Sequence, residues 1–241
     1  MLGLDDRIVA LASDGSVWIV LAVAVLLGLR HATDPDHIAA VSTLVAGDQD
    51  RATRRAGGLG LAWGLGHALT LFAFGLPILL LDAYLPEAAQ RAAETAVAVV
   101  IVYLSVRLLA RWRRGEFHAH PHRHGDEEHT HAHTTHDHRH ARSGAGAFGI
   151  GLVHGIGGSA GVGILLVASI ESTRLAVASL ALLALFTAVS MTVFSGGYGR
   201  ALVSPPVRSR FATVAPVLGA WSLAFGIWYV ASAWSLAPYP F

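Results

Sequence analysis

Cysteine is absent from this chain of 241 residues, and so is lysine, since all 17 basic residues are arginine. Without thiols there are no disulfides and no thiolate metal sites, so a metal ion would have to be held by nitrogen and oxygen donors. Charge is scarce as well, at 14% of residues, against 54% hydrophobic residues and 26 glycines. Such a composition describes an integral membrane protein rather than a soluble domain, and it indicates a lipid bilayer and no nucleic acid among its partners. The first 15 residues carry Asp5, Asp6 and Asp14 with Arg7 alone, which is not the basic start of a cleavable signal peptide, so the first helix is expected to stay in the membrane.

Apolar stretches long enough to cross a bilayer run over 16–46, 57–82, 88–111, 146–169, 174–198 and 211–237. They predict an all-α membrane protein of six transmembrane helices. Arginines 51, 54 and 55 fall between the first two stretches, 107, 111, 113, 114, 123, 139 and 142 around the third-to-fourth connection, and 200, 208 and 210 between the last two. Only Arg7, Arg91 and Arg174 lie on the other side. The positive-inside rule then puts both termini outside the cytoplasm and the long loop inside, with Trp18, Trp234 and Tyr239 as an outer aromatic belt in the cytoplasmic (inner) membrane. Gly28-Leu29-x-His31 recurs as Gly151-Leu152-x-His154, and Thr70-Leu71-Phe72 with Gly75 as Thr192-Val193-Phe194 with Gly197. The expected organisation is a 3+3 inverted repeat, with halves at 1–111 and 146–241 separated by a loop at 112–145.

Residues 28–41 place Arg30, His31, Asp34, Asp36 and His37 inside the first apolar stretch, near the bilayer midplane. A charged side chain there costs roughly 2.5 to 3.5 kcal/mol, so such groups usually line an ion or substrate path or bind one another. Pro35 disfavours helical geometry at Asp34 and cannot donate to a helix, which predicts a first helix ending near His31 and a second starting with Asp34 as N-cap. A break at Asp34-Pro35 lets two imidazoles and a carboxylate converge. Neutral imidazole and carboxylate suit nickel, cobalt or zinc. The structural alternative is an Arg30–Asp36 ion pair with the histidines hydrogen-bonded between helices.

His31, four residues, then Asp36-His37, preceded by Gly28-Leu29-Arg30 and followed by Ile38-Ala39-Ala40, resembles the H-x4-D-H signature of the nickel/cobalt transporter family of multi-pass membrane proteins. Gly66-His67 with Thr70 resembles a second element of that family, a glycine-histidine pair in the next helix. The resemblance implies recognition of Ni2+ or Co2+ by the first signature, the ion being transported substrate and not cofactor. Two later family signatures, acidic and threonine-rich, have no counterpart; Gly151-Leu152-Val153-His154 and Ser190-Met191-Thr192 stand in that region.

Beyond the resemblance, His67 reads as a ligand or as a hydrogen-bonding partner, Gly60 and Gly64 as packing positions, and Glu94 and Arg107 as side chains snorkelling to the interface. The 112–145 loop holds ten of the 14 histidines, at His118, His120, His122, His124, His129, His131, His133, His136, His138 and His140. It lacks core-forming residues and is expected to be disordered without metal, a cytoplasmic sponge or sensor for divalent ions or else a pH-responsive linker. Gly157-Gly158-Ser159-Ala160-Gly161 matches G-x-S-x-G and resembles the rhomboid intramembrane serine proteases, but no histidine follows His154 to serve as base. Gly151, Gly155, Gly157 and Gly161 read as packing positions or a second break, and Thr187, Ser190 and Thr192 as hydroxyls bonded to their own helix.

Together these readings describe a non-enzymatic permease for divalent nickel or cobalt, its ion held by His31, Asp36, His37 and His67. Asp34 caps the half-helix and balances Arg30, and His154 completes the path from the second half. A metal exporter and a urease- or hydrogenase-associated delivery protein are the alternatives, with a metallochaperone or a second copy of the chain as protein partner.

Overall fold

The computed structural model describes residues 17–45, 52–81, 86–115, 119–124, 127–132, 143–155, 157, 164 and 167–238; for 52–55, 119–124, 127–132 and 208 it describes the backbone alone. The first apolar stretch is two helices, α1 (Val17–His31) and α2 (Pro35–Val45), bent by 43° at the break. The turn is built from local bonds: Thr33 N and Oγ1 both donate to the Arg30 carbonyl at 2.9 and 2.6 Å, and Asp34 N donates to the His31 carbonyl at 3.1 Å. Ile38 N then donates to the Asp34 carbonyl, so Asp34 stands at the N-cap and Pro35 takes the first helical position, where a missing N–H costs nothing.

The chain continues through α3 (Ala52–Leu81), α4 (Glu87–Arg113), a hairpin of β1 (Ala119–His124) and β2 (Glu127–Ala132), α5 (Gly144–His154), α6 (Thr173–Leu202), the single turn α7 (Pro205–Arg208) and α8 (Phe211–Ala233). Four helices are long and apolar enough to cross a membrane by themselves, and the bent pair α1–α2 makes a fifth candidate span. The expected span over 146–169 corresponds to α5, an apolar helix of 11 residues, and most of the segment after it, Ser159 included, lies outside the described residues.

The hairpin departs from the expectation of a loop without regular structure. His120 pairs with His131 and His122 with His129 in antiparallel register. Histidine at alternate positions suits the period of a strand, and Gly125-Asp126 is a turn-forming dipeptide. With no apolar face to bury, the ribbon rests on backbone hydrogen bonds. His118, His133, His136, His138, His140, Tyr239 and residues 1–16 lie outside the described residues.

Helices α3 and α6 pack along each other at the centre; α1 lies against α6, α5 against α3, and α4 against α8, with α2 against α4 and α8. Lipid tails are as apolar as leucine, so helix association relies on close packing and interhelical hydrogen bonds rather than on withdrawal from water. Small residues supply the contact. Gly60 and Gly64 of α3 face Ser195 and Ala188 of α6, Gly28 of α1 faces the Leu183 carbonyl of α6, and Gly151 of α5 lies against the Trp63 carbonyl of α3. Ser42 of α2 and Ser222 of α8 share a 2.9 Å hydroxyl contact, and Ser190 of α6 donates to the Gly28 carbonyl at 2.8 Å. Trp63, Leu71, Ile101, Leu180, Met191 and Tyr229 fill the interior, whereas Trp18, Leu69, Leu81, Val193, Val217 and Trp234 point outward.

Glu94 is a correction. It does not snorkel but is buried, accepting a 3.0 Å hydrogen bond from Gln90 Nε2 one turn earlier. Gly157 packs against the Ala93–Glu94 backbone beside it.

A Cβ at residue 151 would overlap the Trp63 carbonyl oxygen, whereas at residue 149 it would meet nothing within 4 Å. Gly151→Leu should therefore lower the thermal midpoint of the detergent-purified protein markedly, with about 1–3 kcal/mol or more lost to overpacking. Gly149→Ala should leave the midpoint unchanged or raised.

Candidate metal centre

Five titratable side chains from four helices meet where the first span breaks. His31 is the last residue of α1, and Asp36 and His37 occupy the first turn of α2; His67 comes from the middle of α3, and His154 is the last residue of α5. Asp36 has no exposed surface and His37, His67 and His154 expose 1% or less. The helix break is what makes this convergence feasible, because it turns Asp36 and His37 back toward the end of the helix that carries His31. The Gly151 crossing does the same for His154, seating the end of α5 beside His67. Gly155, the next residue, packs on the His67 carbonyl.

Asp36 is shared. Its Oδ1 lies 3.1 Å from His37 Nδ1 and its Oδ2 3.0 Å from His154 Nε2. Asp34 Oδ2 lies 3.2 Å from His31 Nδ1, with Arg30 Nη2 3.7 Å from the other oxygen. The Arg30–Asp36 pair weighed from sequence does not form; the arginine, 44% exposed at its side chain, pairs with Asp34 instead. Asp34 thus lies beside the cluster and orients His31, the usual position of a carboxylate behind a ligating imidazole.

A neutral imidazole has one N–H and one lone pair, so the bonds assign the tautomers. His37 donates through Nδ1 and His154 through Nε2, both to Asp36. His31 donates through Nδ1 to Asp34, which makes its Nε2 the acceptor of the 2.8 Å contact with His67 Nε2. The lone pairs of His37 Nε2, His67 Nδ1 and His154 Nδ1 are then left over, and these three buried atoms have no hydrogen-bond partner among the described residues. Three bare nitrogens around a buried carboxylate are an electron-rich pocket. Their chemical complement is a cation.

Ligand atoms of His31, His37 and His67 lie within 4.8 Å of one another, and so do those of Asp36, His37 and His154. Two donors each about 2.1 Å from a common ion sit at most about 4.2 Å apart, so closure on an ion needs movements on the order of half an ångström. Asp34 belongs to neither group. Of the loop histidines, His120, His122, His124, His129 and His131 stand on the hairpin strands, away in sequence from this cluster.

Sequence reasoning missed Trp63. Its ring stacks on His37 at 5.4 Å between centroids and meets His154 edge-on at 5.6 Å, closing one wall of the cluster. The signal was present in its spacing, four residues before His67 and hence on the same face of α3. Thr187, fully buried on α6, likewise has no partner for its hydroxyl among the described residues, while Thr192 bonds back to its own helix as expected and Ser190 shares its hydroxyl between the Gly28 carbonyl of α1 and the Thr187 carbonyl of its own helix.

Fold and cluster together describe a polytopic membrane protein built around buried imidazole and carboxylate groups of a kind that handles transition-metal cations. Residues 17–196 match the NicO family, described as high-affinity nickel-transport protein, and the chain belongs to that family. That description is of a family of transporters rather than of enzymes. The chain is also similar to the urease accessory protein UreH of Bacillus sp. (strain TB-90), 27% identical over 152 residues, which are 63% of this chain and 64% of that protein. The chain thus spans somewhat under two thirds of that relative's length. No solved structure matches it.

Two outcomes follow from the geometry. Bound nickel, an open-shell ion, would lie within a few ångströms of the Trp63 indole, so adding Ni2+ to the purified protein should quench tryptophan fluorescence, and Trp63→Phe should remove most of the quench. Asp34→Asn should weaken nickel binding, read by equilibrium dialysis, by about 10- to 100-fold through loss of the carboxylate that orients His31.

Proposed function

We propose that the protein is a permease that carries Ni2+, and Co2+ through the same donors, across the cytoplasmic membrane, with His31, Asp36, His37, His67 and His154 as its ligands. The observation that carries this reading is the set of three unpartnered ring nitrogens beside a fully buried carboxylate. Burying such groups unsatisfied is costly, and a divalent ion held among them would supply the missing partner and the counter-charge. Imidazole and carboxylate donors without thiolate favour nickel and cobalt over softer ions.

The reading includes two inverted three-helix halves. Two parallels support it: His31 ends α1 as His154 ends α5, and α1 packs on α6 as α5 packs on α3. The close contacts correspond too, Gly28 meeting the backbone at Thr187 and Gly151 the backbone at His67. Interrupted helices facing each other across such a repeat are a recurrent way of exposing one site to either side of a membrane. In this reading both termini lie outside and the histidine-rich loop inside, where a buffer for ions that have crossed suits uptake.

The similarity to a urease accessory protein favours a second reading, in which the protein hands nickel to a urease rather than driving its uptake. The two are separated by expressing the protein in cells with and without urease genes: a permease accumulates nickel in both, a dedicated delivery protein only beside its enzyme.

Cells expressing wild type should accumulate radioactive nickel above the empty-vector level, and His37→Ala should return them to that level. Deleting residues 118–140 should shift the concentration dependence without abolishing uptake. Equal accumulation in all three strains would reject the permease.

A further inference from the structure

The five side chains do not form one shell. They fall into two groups of three, His31–His37–His67 and Asp36–His37–His154, with His37 common to both. The ring distances show the same division. His37 stands 4.5 Å from His31 on one side and 4.5 Å from His154 on the other, while His67 lies nearer His31 and His37, at 4.8 and 5.1 Å, than His154, at 6.0 Å.

Resting on the permease reading, we propose that these are two successive sites for one ion, an all-imidazole site and a carboxylate-bearing site, between which the metal passes by exchanging partners around His37. The exchange balances in bonds: coordination by His31 and His67 is given up as coordination by Asp36 and His154 is gained, and the hydrogen bonds that Asp36 accepts from His37 Nδ1 and His154 Nε2 break as those rings turn or move their proton to the other ring nitrogen, so no proton or electron need leave the protein. In the first site Asp36 acts from behind, holding the His37 ring; in the second it becomes a ligand, adding a negative charge that the first lacks. The ring contact of 2.8 Å between His31 and His67 re-forms once the ion has moved on. An ion leaving either set is always within reach of the next, so neither has to release it to the membrane interior. Because both sites need His37, they cannot be filled together, and the chain holds one ion at a time.

The composition of the sites supports this division of roles. His31 and His37 come from the broken span and His67 from its neighbour α3, whereas His154 is the only ligand from α5. A shift of α5 relative to α3 at their glycine crossing would make or unmake the second site and leave the first intact.

The test uses the full-length protein in detergent and in proteoliposomes, with nickel as the probe. Protein loaded with Ni2+ is washed with an impermeant chelator, and the nickel retained per chain is measured beside the initial rate of flux. Wild type should retain about one ion per chain. His67→Ala, which keeps the carboxylate site, and His154→Ala, which keeps the imidazole site, should each retain nickel while losing at least tenfold in flux; His37→Ala should lose both. Retained nickel certifies that the first two variants are folded, and His67→Gln and His154→Gln, checked by size-exclusion chromatography, repeat the comparison with less change in volume. If the folded His67 and His154 variants lose their nickel as His37→Ala does, there is a single shell and the two-site scheme is overturned with the permease intact. If either keeps full flux, the scheme fails as well. A wild type that neither retains nor moves nickel would instead remove the permease reading itself.

Discussion

A carboxylate with no exposed surface, held between two imidazoles, is the constraint from which the rest of the architecture follows. Asp36 forms no ion pair with an arginine among the described residues; its partners are His37 and His154, from the broken span and from α5. In an apolar interior such a group is tolerable only if its lone pairs are met and its charge is balanced. The hydrogen bonds do the first and leave three ring nitrogens bare. A cation at the site would do the second, and for a carrier this imbalance would be useful: a site fully satisfied without its ion would have no reason to take one up.

Holding such a cluster in lipid requires helices that approach more closely than ordinary side chains allow. Where there is no water to escape from, the approach must come from small residues and from hydroxyls bonded across helices. Gly28, Gly60, Gly64 and Gly151 serve this purpose, and two of them adjoin the site directly, Gly28 three residues before His31 and Gly151 three before His154. The glycine and the histidine belong to one device. The first brings the helix end in, and the second uses the position gained.

Membership of the NicO family and the chain's departures from the nickel/cobalt signatures meet at His154. Where an acidic family element has no counterpart, the chain offers an imidazole, and that imidazole is bonded to the acid of the first signature. If the cluster holds an ion, the donor missing from one position is thereby supplied from another helix end.

What the sequence determined by itself is the class of protein and its local chemistry: membrane helices from apolar runs, the break from Asp34-Pro35, and the ionisable residues placed where lipid would otherwise exclude them. These are legible because they depend on neighbours within a turn or two. Which partner each charge takes was decided only by the tertiary structure, which gave Arg30 to Asp34 rather than Asp36, buried Glu94 beside Gln90, set Trp63 against His37 and brought His154 across from α5. The contacts of Trp63 with His37 and of His154 with Asp36 join helices whose relative rotation is set by packing, as the burial of Glu94 is, and rotation about a helix axis leaves no mark in a hydrophobic run. The histidine-rich loop shows the same limit from the other side: its alternation is plain in the sequence, but the pairing of His120 with His131 and His122 with His129 depends on where the chain reverses.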